Sequence, residues 1–307
     1  MLKAATNALK SSSESFSTIA TQTERFSLFA NWLKENHAIK DMRWIEKSHL
    51  VEYAEHLLKK VEQGNLAIAT AHNRLSAVNK VLETARADRE VWVAPGDYLP
   101  ERSGIASTNR APTADLLDKQ KDHLRNQPNG ERLQLILDLG KHFGLRFEES
   151  AKLNARTAKE QAENKGYIRV LDGTKGGRAR LIPIESRHQL AVLRKATELQ
   201  DNHRSLIPAD QTYAEFRNAA YKSIQNAPMR GFHGTRHGYA QSRYQQITGA
   251  ICPVKAGITH GTAHYRFLSE KLGISVNEAK TLDKEARLQV AQELGHGRIE
   301  VTNAYLG

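Results

Sequence analysis

The chain has 307 residues, more than one hydrophobic core ordinarily serves, so about two domains are expected. Its 45 lysines and arginines against 34 acidic residues give a formal charge of +11. That charge favours a polyanionic partner such as nucleic acid, although a ribosomal, heparin-type or membrane-surface binder fits it equally. Cys252 is the only cysteine, which excludes an intramolecular disulfide and a cysteine-based zinc site. Met1 to Ser13 is polar without a signal-type apolar core, and no run of about 18 apolar residues is present, so a soluble cytoplasmic protein without a membrane partner is expected.

After a Ser-rich entry (Ser11, Ser12, Ser13, Ser15), Phe26, Phe29, Ala30 and Leu33 recur at helical spacing and predict a first helix over about 17–36. Ser48 is placed to cap a second helix with the stripe Leu50, Ala54, Leu57, Leu58 and Val61, stopped by Gly64. Asn65 is placed to cap a third, with Ile68, Ala71, Leu75, Val78 and Leu82 inward and a polar, partly basic outer face that includes Arg74 and Lys80. Pro95 to Gly104 breaks both periodicities and reads as a linker ending near Pro112, with the domain boundary at about 107. Residues 1–106 then form a helical domain and 107–307 a second domain.

In the second domain Leu133, Ile136, Leu137 and Gly140 mark a helix face, and Gly144 turns the chain so that Arg146 opens a new helix through Leu153. Residues 167–171 and 178–183 are strand-like runs around a Gly-rich turn, predicting a β-hairpin with Lys175 at its tip. Helical patterns follow at about 187–200, 210–226, from Thr235, and at 284–294 before the corner Leu294-Gly295-His296. The fold class expected is mainly α with a small antiparallel sheet.

One tyrosine, Tyr305, follows two arginines, two histidines and a lysine. An attacked phosphodiester gathers charge on its nonbridging oxygens, and preorganised cations stabilise that charge. Arg146 and Arg236 suit a phosphate clamp, because each guanidinium donates parallel hydrogen bonds and stays protonated. A tyrosine hydroxyl, ordinarily with a pKa of about 10, needs a base or nearby positive charge to attack, and His233 and His296 are available. Lys175 on its hairpin is placed to protonate a departing oxygen. Singly, each residue has a plainer reading. Lys175 reads as a solvated turn residue, Arg146 beside Glu148 and Glu149 as a surface ion pair, and Tyr305 as packing. His233 and His237 have the i, i+4 spacing of metal ligands, but no acidic residue lies beside them. The Gly-rich run 172–177 lacks the residue order of a nucleotide-binding loop.

Order and spacing carry more than any single residue. Gly144-Leu145-Arg146 with Glu149, the run Lys175 to Pro183, His233-x-x-Arg236-His237, Leu294-Gly295-His296 and Tyr305 together resemble the catalytic signature of the tyrosine recombinase, or phage integrase, family. The resemblance covers about 110–307, and the three-helix pattern before the linker is similar to that family's core-binding domain. It implies a two-domain DNA clamp that performs site-specific recombination, integrating or excising a mobile element. Tyr305 would form a 3′-phosphotyrosyl bond, Arg146 and Arg236 would hold the phosphate, and Lys175 would be the general acid. His233 would be the acid/base partner, His296 a hydrogen-bonding support, Glu149 an orienting carboxylate and His237 a packing or supporting residue. Arg74, Lys80, Arg178 and Arg180 are candidate DNA contacts. The resemblance further implies neither metal nor nucleotide cofactor, a double-stranded DNA partner, a tetramer on paired sites and accessory DNA-bending proteins. The alternatives are a non-catalytic DNA-binding protein with the same fold, type IB topoisomerase-like relaxation and, third, a metal-dependent nuclease.

Two departures stand out. Between Arg236 and His296 lie 59 residues, more than the family pattern requires, and the surplus at about 248–285 is expected to be a surface elaboration rather than a DNA or partner contact. Gly307 stands two residues after Tyr305, where the family commonly continues into a helix that docks on a neighbour, so a truncated chain or assembly through other surfaces is expected.

Overall fold

The computed structural model describes residues 1–12 and 15–307; Ser13, from the Ser-rich entry, and Glu14 lie outside the described residues. The chain divides into two compact units, Met1–Ser103 and Gly104–Gly307.

The first unit contains α1 (Leu2–Ser11), α2 (Phe16–His37), α3 (Lys47–Glu62), α4 (Ile68–Arg86) and the short α5 (Pro95–Tyr98). Ser15 caps α2 by accepting from the Thr18 amide at 3.2 Å. Phe26, Phe29 and Leu33 are fully buried, and the Phe29 and Tyr53 rings lie 4.9 Å apart. Two expected caps move. Glu46, not Ser48, caps α3, in a reciprocal box with His49 whose Nδ1 accepts from the Glu46 amide at 2.9 Å. Asn65 does not open α4, because its amide bonds back to Lys60 O at 2.9 Å and closes α3 instead; Ala67 precedes the helix. The start of the expected linker is also packed structure. Leu99 is buried, and the Asn79 side chain both donates to Val93 O at 2.6 Å and accepts from its amide at 3.2 Å.

The second unit runs α6 (Ala114–Arg125), α7 (Gly130–Phe143), α8 (Phe147–Lys152), α9 (Ala155–Lys165), β1 (Tyr167–Val170), β2 (Arg180–Pro183), α10 (Arg187–Gln200), α11 (Tyr213–Ser223) and α12 (His233–Thr248). It continues with α13 (Pro253–Ala256), α14 (Thr262–Leu272), α15 (Val276–Glu293) and α16 (Asn303–Leu306). The strands pair antiparallel with Ile168 opposite Ile182. Ile168, Val170 and Ile182 face the core while Arg169 and Leu181 face out, the period-two alternation of a half-buried hairpin. Both strands are shorter than expected, since Gly173, Gly176 and Gly177 take positive φ in the turn and end the ladder. No described helix is long and apolar enough to cross a membrane.

The stretch 248–285 is not a surface appendage. Cys252 is fully buried in the same core as Leu139, Tyr244, Tyr305 and Leu306, and Ala250, Leu268 and Ala279 add a smaller cluster beside it. Several of its apolar residues pack inward, which the reading of it as a surface elaboration did not anticipate.

Candidate active site

Two chain corners converge on Arg236. α7 and α12 approach closely because Gly140 has no side chain; a Cβ there would stand 2.2 Å from Thr235 Oγ1. Gly144 ends α7 at φ +61, with Tyr239 and Leu294 packed where a Cβ would go. This turn aims the Gly144 carbonyl at Arg236, which donates to it from Nη1 and to Leu294 O from Nη2 at 2.5 Å. The guanidinium, 0% exposed, is thus oriented by the carbonyls of two corners, one before Arg146 and one before His296.

Glu149 assembles the remaining cations. It accepts from the Arg146 amide at 2.7 Å, from Arg146 Nη1 at 2.7 Å, and from Arg180 Nη1 and Nη2 at 2.8 and 2.6 Å. Arg236 Nη1 stands 3.8 Å from the same carboxylate. Burial alone would raise the Glu149 pKa, but the paired Arg180, then Arg146, hold it down at about 2. Three guanidiniums around one carboxylate leave excess positive charge, and the Arg146 side chain, 25% exposed, carries it to the surface. Arg180, expected as a DNA contact, is corrected here. It is buried, its fork is committed to Glu149 and its Nε donates to Glu293 O at 2.7 Å. The alternation of β2 turns Arg180 inward with Ile182, whereas Arg178 precedes the strand and is exposed.

Tyr305 lies on α16 with its hydroxyl 3.4 Å from Arg236 Nε and 3.5 Å from His233 Nε2. The His237, His296 and His233 rings surround its ring at centroid distances of 4.6, 5.5 and 5.9 Å. His296 Nε2 lies 3.5 Å from Arg236 Nη2. Burial, then Arg236 and Arg146, lower the His296 pKa to about 4; burial, then His233 and Arg110, bring His237 to about 4. His233 is lowered too, by desolvation first and by Arg236, Arg146 and Arg110 next. All three rings therefore favour the neutral form, while Arg236, brought by burial to about 10, keeps its proton at neutral pH.

The structure thus joins Arg146, Glu149, His233, Arg236, His237, His296 and Tyr305 in one cluster. Lys175 stays outside it, exposed in the turn between β1 and β2. Arg74 and Lys80 lie half-buried on α4 in the other unit. Sequence reasoning missed Arg180 as the main partner of Glu149. It also missed Gln241, whose Nε2 donates to Tyr305 O at 3.3 Å and to Asn109 Oδ1 at 2.8 Å. The hairpin's alternation held the signal for Arg180, whereas nothing in the sequence pointed to Gln241.

The family described as integrase matches this chain over residues 104–242. Among solved structures, the chain is similar to the Tn1549 transposon integrase in complex with transposon right end DNA, at 13% identity and a TM-score of 0.56, covering 100% of this chain and 94% of that one. It is also similar to a lambda integrase dimer bound to a COC' core site, at 16% identity and a TM-score of 0.51, covering 92% of this chain and 75% of that one. No curated protein matches the sequence. The integrase match is confined to residues 104–242, and the chain as a whole shares the fold of these solved integrases.

Proposed function

We propose that this chain cuts and rejoins double-stranded DNA at specific paired sites through a covalent bond to Tyr305, and that it serves the integration or excision of a mobile element. The observation that carries the reading is the Tyr305 hydroxyl within 3.5 Å of both Arg236 and His233 inside one basic cluster.

In this reading the scissile phosphate is held by Arg146 and Arg236, with neutral His296 as a further hydrogen-bonding partner. His233 Nε2 takes the hydroxyl proton as the Tyr305 oxygen bonds to phosphorus. The bond from phosphorus to the 5′ oxygen breaks, and Lys175, carried in by the hairpin, protonates that oxygen. The products are a 3′-phosphotyrosyl enzyme and a 5′ hydroxyl, and religation runs the same steps in reverse. Guanidiniums supply the charge, and His233 and Lys175 the proton transfers, so the reaction as written uses no metal or nucleotide. Arg178 and the Arg74/Lys80 face of α4 contact phosphates outside the reacting centre. Assembly as a tetramer on paired sites, help from DNA-bending proteins and a cytoplasmic setting belong to the same reading.

Incubating the chain in EDTA with nicked duplexes drawn from the flanks of its own gene tests this. A covalent adduct on a denaturing gel, absent with Tyr305→Phe, is expected. DNA binding without any adduct would favour a non-catalytic DNA-binding protein. Relaxation of a circle carrying one site, without exchange between two linear sites, would favour the topoisomerase reading.

A further inference from the structure

The tyrosine turn is gripped by a buried ion pair that the chemistry above does not use. Asp283 and Arg287 lie one turn apart on α15, both buried. Arg287 donates from Nε to Asp283 Oδ2 at 2.8 Å, from Nη1 to Asn303 Oδ1 at 2.9 Å and from Nη2 to Gly307 O at 2.9 Å. Its planar fork therefore holds the chain on both sides of Tyr305. The other Asp283 oxygen accepts from the Tyr244 hydroxyl at 2.6 Å, and Tyr244 lies on α12, the helix that carries Arg236. His260 Nδ1 lies 2.9 Å from the same Gly307 oxygen, and Leu306 is buried in the core with Cys252.

We infer that Asp283 and Arg287, with the 250–264 segment, form a socket that positions the tyrosine turn, fixing the nucleophile relative to Arg236 within its own chain. The inference rests on the proposed role of Tyr305. An ion pair buried at this depth adds little net stability compared with apolar packing, because desolvation offsets most of its attraction. What it supplies is direction. The path Tyr244, Asp283, Arg287, Asn303 ties the helix of the phosphate-holding arginine to the turn of the nucleophile. A misplacement of about 1 Å at a reacting atom costs about 100-fold in rate. The surplus between Arg236 and His296 thereby gains a use, since it provides one wall of the socket. Asp283 and Arg287 are positioning residues that touch neither phosphate nor leaving group.

The test compares the intact chain with Arg287→Met, Arg287→Lys and Asp283→Asn by single-turnover adduct formation at saturating DNA, DNA affinity and peptide-level hydrogen exchange. For Arg287→Met we expect adduct formation slowed at least about 10-fold, consistent with a sub-ångström displacement. DNA affinity should be unchanged, and exchange protection should be lost only in the peptide spanning 299–307. Arg287→Lys should recover part of the rate. Replacing the bridging 5′ oxygen with sulfur should not rescue Arg287→Met, because a better leaving group relieves a missing acid and not a misplaced nucleophile. If the buried variants do not fold, Asn303→Ala removes one acceptor at a half-exposed position and should slow the reaction in the same way. Cleavage at or above the unsubstituted rate would overturn the socket, as would parallel loss of DNA binding and of protection throughout the second unit. Absence of any adduct from the intact chain would instead sink the reading of Tyr305 itself.

Discussion

Arg236 Nε lies 3.4 Å from the Tyr305 hydroxyl, and the remainder of that guanidinium is fixed by carbonyls at Gly144 and Leu294. A cation aimed at the position where charge develops need not reorganise during the reaction, and such preorganisation is commonly the largest protein-supplied contribution to a displacement of this kind. Arg236→Lys is expected to lower the adduct-forming rate by about 100- to 1,000-fold, the usual effect of losing one such donor. Single-turnover kinetics at saturating DNA measure it, with thermal unfolding as the control for the cavity that the smaller fork leaves.

Glu149 is the structural counterpart of that arrangement. It is 1% exposed and pairs with Arg180 and Arg146, so removing its charge leaves buried guanidiniums without a counter-ion. Glu149→Ala should cost about 3–5 kcal/mol of stability, the range for breaking a buried pair from one side. Denaturant unfolding of the full chain provides the value, and a cost below about 1 kcal/mol would mean that the three arginines are held by other contacts.

Acid should destabilise the protein in two windows. His237 and His296 hold protons less tightly when folded, at about 4, than in the unfolded chain, at about 6.5. The unfolded chain therefore binds more protons between those values. The histidines' contribution is complete above about 6.5 and is lost as pH falls through about 4. Glu149 adds a second loss, as pH falls from about 4.5 through about 2. Melting temperatures of the intact chain should drop between pH 7.5 and 5. His296→Gln should flatten that drop, and an unchanged slope would refute the assignment.

Arg178 and Arg180 differ by two positions and should behave oppositely. Arg178 is exposed and is expected to neutralise a phosphate, so Arg178→Ala should reduce the slope of log affinity against log salt by about 0.9 and leave stability unchanged. Arg180 is buried on Glu149, so Arg180→Ala should lower stability sharply. Salt titrations of DNA binding alongside melts separate the two.

These contrasts mark what the sequence could and could not reveal. The helices around Phe26–Leu33 and Leu133–Gly140 were legible because one apolar face repeats at helical spacing, and the Gly144 corner because glycine takes a left-handed helix end at least cost. The motif residues were read as a set because their order resembles a family signature, and the structure brings together all of the catalytic candidates except Lys175. The inward turn of Arg180 was harder, since a charged residue in a strand is ordinarily taken to face water, and only the partner Glu149, 31 positions away, reverses that. The α15 network was missed for a related reason. That helix was read as starting near 284, after Asp283, whereas Ser275 caps it and its first residue is Val276. Starting there, the i, i+4 pair of Asp283 and Arg287 falls within one helix. The acceptors at Asn303 and Gly307 are a matter of tertiary geometry that no local pattern encodes.

The most direct measurement is mass spectrometry of the peptide left attached to DNA after trapping, nuclease trimming and proteolysis. The account predicts a nucleotide joined through its 3′ phosphate to Tyr305, with a free 5′ hydroxyl on the released strand. An adduct on any other side chain, or cleaved DNA with both ends free, would contradict it.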